Sequence, residues 1–268
     1  MRHTLQLSAG KNAMNTRLSI SIGVYIVWVL ITLLGAKWLL GGEEAALIEL
    51  VKNGIGWQFV GGVALLVAAI FVFKWQDLQF SLPHSVGRVM WFPVLILAAL
   101  SSMIFVTGLP EPRIIFFIAL NTLLVGASEE IMFRGVLFRA FLTTCKLWPA
   151  IILTTVLFGA VHVLNGFNTG EWGMAATQAV TASMSGLLFI AIVIRTGSLW
   201  SAIVYHFLWD CSLFLMNAAH EPAAANTVNE AVTLIPALAL LILIALPNFL
   251  CGLFLLRKVR HKTFFEGQ

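Results

Sequence analysis

From residue 19 onward the chain alternates long apolar runs with short polar breaks. Eight runs stand out: Ser19–Leu34 with a continuation to Leu40, Trp57–Phe73, Met90–Gly108, Ile114–Phe138, Leu147–Leu164, Gly173–Arg195, Ser198–Asn217 and Thr233–Leu256. Each approaches or exceeds the roughly 20 residues that carry a helix across the hydrocarbon core of a bilayer. None alternates with the period of two that a barrel strand requires, and in lipid the backbone must satisfy its own hydrogen bonds. The pattern predicts an all-α fold, a polytopic membrane bundle of about eight transmembrane helices. The stretch Gly42–Gly56 (GEEAALIELVKNGIG) reads as a short amphipathic helix at the interface. The polar N-terminal stretch has no apolar core of a cleavable signal, so the first run is expected to be a retained anchor. No internal repeat, low-complexity tract or linker interrupts residues 1–268, which read as one integral membrane domain.

Composition sharpens this picture. The chain is 60% hydrophobic and 10% charged, against roughly 45–50% and 25% for a soluble domain. Those values exclude a disordered protein, a nucleic-acid-binding domain and a conventional soluble enzyme. The formal charge of +4 reads as topology. With the termini and even-numbered loops on one side, that side holds most of the Lys and Arg, Arg134 and Arg139 among them. The other side holds Lys37, Lys52 and Arg113. Both termini are therefore expected in the cytoplasm. Cys145, Cys211 and Cys251 are odd in number and lack CxxC spacing, so they form neither a disulfide framework nor a zinc knuckle.

A charge at the bilayer centre costs at least about 2.5–3.5 kcal/mol on insertion scales, so ionisable residues inside spans mark function. Three acids lie inside the runs: Glu129, Glu130 and Asp210. Of the histidines, His162 and His206 do; His3, His84, His220 and His261 do not. Glu130 and Arg134 are four apart and share a helical face, where they can pair. Glu129 points about 100° away and is left free for another role. Phe158 and His162 are four apart, with Gly159 between them allowing a neighbouring helix close. His206 and Asp210 are also four apart, so the carboxylate can fix the imidazole's tautomer and orientation.

These residues, in the order Glu-Glu-x-x-x-Arg, Phe-x-x-x-His and His-x-x-x-Asp on successive spans, resemble the CAAX protease and bacteriocin-processing family. That family includes the type II CAAX prenyl endopeptidases and the bacterial Abi proteins. The family-like sequence covers residues 114–217. Asp210 stands where the prenyl proteases usually carry Asn, whereas bacterial members often carry Asp. The resemblance implies an intramembrane endopeptidase acting on a membrane-associated protein or peptide, in a bacterial cytoplasmic membrane. It implies that Glu129 activates water with His162, that His206 and Asp210 stabilise the oxyanion, and that Glu130 and Arg134 brace the site. Phe158 packs beside it.

Three carboxylates and Arg134 sum to −2 when the histidines are neutral. A zinc ion on Glu129, His162 and His206 would balance this, as would protonation of a histidine or a carboxyl. The chain has no His-Glu-x-x-His, and the favoured reading has no cofactor. Two other functions fit buried acids and histidines: a non-catalytic immunity or scaffold protein, and a proton- or ion-coupled transporter. The Ser183, Ser185 and Gly186 cluster reads as close helix packing. One expectation conflicts with the rest. With the fourth span ending at Phe138, Glu129 falls near the cytoplasmic side, whereas His162 falls roughly 18–22 Å deep.

Overall fold

The computed structural model describes residues 2–39, 41, 43–219 and 230–259. His220, His261, Arg260, Lys262 and Gly42, and the side chains of His3, Arg2 and Lys11, lie outside the described set. Among the described residues every regular element is helical. Seven helices are long and apolar enough to cross a membrane: α1 (Thr16–Trp38), α3 (Val86–Thr107), α4 (Pro112–Thr144), α5 (Leu147–Thr169), α6 (Trp172–Thr196), α7 (Leu199–Ala219) and α8 (Ala239–Leu256). The shorter α2 (Trp57–Phe73) lies between α1 and α3. Its 17 residues rise about 26 Å, slightly under the hydrocarbon thickness. The seven and the one correspond to the eight apolar runs.

Faces turned away from the bundle carry exposed apolar side chains such as Phe71, Phe105 and Val106. Lipid tails solvate such faces as readily as a protein core does. Helix association therefore rests on close packing and interhelical hydrogen bonds. α6 packs along α5 and α8, and α7 along α4. Gly159 on α5 meets α6 so closely that a Cβ there would overlap Ser183 Oγ and the Ala179 carbonyl. Tyr205 donates to Asn248 Oδ1 at 2.8 Å, and Asn248 donates to Ser185 Oγ at 3.2 Å, tying α7, α8 and α6 together.

The alternation of loops is visible as two faces. On one, Arg17 pairs with Asp77 at 2.8 Å, and the His84 N–H donates to the Thr196 carbonyl. There α6 closes on Gly197, whose φ of 68° suits a residue without Cβ. On the opposite face, the Ala45 N–H donates to the Asn168 carbonyl, and Lys37 Nζ donates to the Phe167 carbonyl.

Three expectations need correction. The amphipathic helix over 42–56 contracts to one turn, Glu49–Lys52. The remainder is loop, because Asn121 on α4 captures its backbone. The Asn121 amide donates to the Val51 and Gly54 carbonyls, and its Oδ1 accepts from the Gly56 N–H. Second, α4 does not end at Phe138 but runs to Thr144, through a π-helical stretch at Ile131–Leu137. Arg139, taken as a mark of the span end, is buried. Third, Arg134, counted among the charges of the terminal side, faces neither side of the membrane: its side chain is fully buried in mid-helix. The depth conflict disappears with the longer α4. Glu129 precedes Thr144 by fifteen residues and His162 follows Leu147 by fifteen, so both sit about 22 Å from the shared turn.

Candidate active site

α4 supplies Glu129 and Glu130 just before its π-helical stretch. A π segment inside an α-helix widens the turn and commonly lies at a functional site. Glu130 and Arg134 pair across this junction at 3.0 Å, with both side chains fully buried. Arg134 Nη2 also donates to the Gly186 carbonyl of α6 at 3.0 Å. Its guanidinium carbon lies 4.0 Å from the Phe158 ring centroid and 5.3 Å from that of Phe189. One cation thus holds α4, α5 and α6 together through a carboxylate, a carbonyl and two aromatic faces.

α7 brings His206 onto this brace. Its Nδ1 donates to Glu130 Oε1 at 2.8 Å. Its Nε2 lies 3.2 Å from Asp210 Oδ2 and 3.7 Å from Glu129 Oε2. The ring stacks on Phe189 at 4.5 Å and 28°. Carboxylate oxygens only accept. His206 can donate to carboxylates on both sides only as the imidazolium, which brings the buried cluster from −2 to −1. Glu129 Oε2 is buried without a hydrogen-bond partner. Glu130 Oε2 likewise has none, but of the two carboxylates only Glu129 lines a cavity, so Glu129 is the acceptor that an added donor such as water can reach.

α5 completes the group. His162 Nδ1 donates to the Phe158 carbonyl one turn back at 2.8 Å. In the neutral ring this leaves Nε2 as an acceptor. The Phe158 ring stands edge-on to both His162 and His206, with centroids 5.1 and 5.8 Å away. Glu129, His162 and Asp210 line one cavity of about 130 Å³, and Glu129 is within electrostatic reach of His162, His206 and Asp210. His162, His206 and Asp210 also line a larger cavity of about 630 Å³ between α6, α7 and α8. A reacting peptide bond and a water both have room there.

All seven residues singled out in the sequence, Glu129, Glu130, Arg134, Phe158, His162, His206 and Asp210, meet in this region. The bond from His206 to Glu130 was not foreseen, since it joins two separate spans. Phe158 is more than packing: it is the wedge that touches Arg134 and both histidines. Phe189 gave no signal, being one aromatic in an apolar run. Trp28, whose Nε1 donates to Ser128 Oγ at 2.7 Å beside Glu129, also escaped notice. So did Asn165, which donates to Gln178 Oε1 at 2.8 Å on the cavity wall. Polar residues without charge inside spans would have pointed to Asn121, Asn165 and Asn248.

The conditional zinc set of Glu129, His162 and His206 does not fit this arrangement. Both nitrogens of His206 face carboxylates, which leaves it no lone pair for an ion while it donates to both; His162 alone of the two histidines keeps a free acceptor nitrogen, with its Nδ1 on the Phe158 carbonyl. Among the described residues no group of three His, Cys, Asp and Glu is disposed around one ion position.

Residues 111–212, which contain all seven, match a family model described as type II CAAX prenyl endopeptidase Rce1-like. No curated protein and no solved structure matches the chain.

Proposed function

The chain belongs, through residues 111–212, to the Rce1-like type II CAAX prenyl endopeptidase family, a family of proteases, and from that premise we propose that Glu129 is the general base of an intramembrane endopeptidase. The observation that carries this reading is the buried Glu129 Oε2, without a hydrogen-bond partner and 3.7 Å from His206 Nε2, on a residue that lines a cavity with His162 and Asp210.

In the proposed reaction a water lies between Glu129 and His162 Nε2. Glu129 takes its proton as the water oxygen bonds to the scissile carbonyl carbon, and the C=O electron pair moves onto oxygen. The His206 imidazolium, oriented by Glu130 and Asp210, faces the developing negative charge. The C–N bond then breaks, and the proton held by Glu129 passes to the leaving nitrogen. General-base assistance of this kind contributes about 10²–10⁴-fold. The substrate is a membrane-associated protein or peptide, and no step passes through a metal.

The test is cleavage by purified protein in detergent, with a prenylated CAAX peptide and a panel of short membrane-spanning peptides as probes. Wild type cleaves, and Glu129→Gln and His162→Ala lose at least about a hundredfold in rate. A chelator leaves the wild-type rate unchanged. Variants that are folded and as active as wild type would refute the assignment. An inactive, well-folded wild type together with partner binding or protection that survives Glu129→Gln would favour the immunity or scaffold role. Asp210-dependent ion flux in proteoliposomes would favour a transporter.

A further inference from the structure

Six residues line both cavities: Leu47, His162, Asn165, Gln178, Asp210 and Phe214. Two of them are apolar, and two belong to the cluster already described. The remaining two, Asn165 of α5 and Gln178 of α6, carry no charge and have no part in the proposed proton transfers. They bond to each other, with Asn165 Nδ2 donating to Gln178 Oε1 at 2.8 Å. Local geometry puts this pair beside His162. α5 tightens into a 3₁₀ turn at Val163–Asn165. Side chains three apart lie one above the other in such a turn, so Asn165 follows the line of His162. Gly166 then packs so closely on the Trp172 ring that a Cβ would overlap it, which fixes how the turn meets α6.

A side-chain amide carries one acceptor oxygen and two donor hydrogens. A bond between two amides uses one oxygen and one hydrogen. The pair therefore keeps an acceptor, Asn165 Oδ1, and a donor, Gln178 Nε2, and neither has a hydrogen-bond partner among the described residues. The inventory is the same whichever of the two amides donates. Asn121 and Asn248, by contrast, are committed: the first to the backbone of Val51, Gly54 and Gly56, the second to Tyr205 and Ser185. One spare donor beside one spare acceptor is the complement of an extended main chain, which offers a carbonyl and an N–H. In a membrane a polypeptide hides those groups in helical hydrogen bonds. The bonds around a scissile peptide must open before water attacks it, and each group left unpaired in apolar surroundings is costly.

We infer that Asn165 and Gln178 seat the substrate's main chain next to the scissile bond, with Gln178 Nε2 donating to a substrate carbonyl and Asn165 Oδ1 accepting from a substrate N–H. This rests on the reading of the cluster as a peptidase. The groups held are common to every residue, so the pair selects an unwound, extended segment at the cleavage point and not a particular side chain. A segment whose helix is weakened by Gly or Pro meets the seat at least cost. Leu47 and Phe214, on the same shared wall, offer apolar surface to the side chains that flank it.

The experiment uses the full chain in detergent. The probes are the prenylated CAAX peptide and the short membrane-spanning peptides, each with analogues in which one backbone N–H near the scissile bond is replaced by ester oxygen. In wild type, one ester position lowers kcat/KM by at least about tenfold. Asn165→Ala loses a similar factor on the parent peptide and no longer responds to that ester, while its response to the other positions is kept. Asn165→Leu combined with Gln178→Met replaces both polar partners by apolar groups of like shape, which a merely structural bond tolerates. This double variant keeps its thermal unfolding midpoint within a few degrees of wild type, yet cleaves at least about tenfold more slowly. Wild-type rates in the double variant, or an unchanged ester profile in Asn165→Ala, overturn the inference. Cleavage that survives Glu129→Gln with the ester pattern intact refutes the base assignment alone. Where wild type does not cleave, the same series is read as binding, by the anisotropy of fluorescein-labelled peptides. Affinity that falls with one ester in wild type but not in Asn165→Ala then upholds the seat without the peptidase. Affinity indifferent to both changes, or no binding, overturns it.

Discussion

At the scale of single residues, the pair Glu130–Arg134 is the feature on which the cluster depends most. Both side chains are fully buried, and Glu130 also accepts from His206. Removing one partner of such a pair leaves an uncompensated charge and costs about 3–5 kcal/mol, more than the pair itself is worth against an apolar substitute. Arg134→Met is therefore expected to lower the thermal unfolding midpoint in detergent sharply. The double variant Glu130→Gln, Arg134→Met should recover part of that loss. Equal midpoints for the single and the double variant would show that the charge balance is not what holds the pair. Asp210 is a different case, being partly exposed and 3.2 Å from His206 Nε2. In Asp210→Asn the amide oxygen still accepts from the imidazole, and the amide nitrogen adds a donor beside the forming oxyanion. Cleavage should persist in Asp210→Asn while Glu129→Gln abolishes it. Equal loss in the two variants would mean that the negative charge of Asp210 is itself required.

At the scale of elements, the approach of α5 to α6 sets where Phe158 and His162 stand. A Cβ at Gly159 would collide with Ser183 Oγ and with the Ala179 carbonyl. A clash with a side chain can be removed by a second substitution, but one with backbone cannot. Gly159→Ala should destabilise the protein by about 1–3 kcal/mol, in the range of overpacked interiors, and reduce cleavage. Adding Ser183→Ala should restore only part of either. Full restoration would place the whole conflict at Ser183. Gly159 was legible in the sequence, as were Glu130–Arg134 and His206–Asp210, because spacing along one helix dictates which side chains are neighbours. The His206–Glu130 bond was not, because no local rule fixes how two separate spans face each other. The end of α4 was misplaced for a related reason. Arg134 and Arg139 are charges, and charges usually mark a span end, but here one pairs with Glu130 and both are buried. Nor does an apolar run announce the π-helical stretch Ile131–Leu137 that carries α4 past the cluster.

At the scale of the whole molecule, the matched stretch 111–212 holds the proposed reacting groups but not all the walls around them. α1 contributes Trp28 and Thr32 to the smaller cavity, and α8 contributes Leu240, Leu241, Ile244 and Ala245 to the larger one. The register of α8 is set by Asn248, which accepts from Tyr205 and donates to Ser185 in a fully buried position. Hydrogen bonds between membrane helices contribute about 0.6 kcal/mol each on average and up to about 1.7. Asn248→Leu should therefore leave the bundle folded with a modestly lower midpoint. It should also leave Glu129, His162 and His206 in place, since none of them touches α8 through this network. What changes is a wall of the larger cavity, against which a substrate would lie. The expected kinetic signature is a raised KM with kcat nearly unchanged, the pattern of lost uniform binding. A fall in kcat with KM unchanged would mean instead that α8 positions the catalytic groups themselves, and that the reacting unit extends beyond the matched stretch.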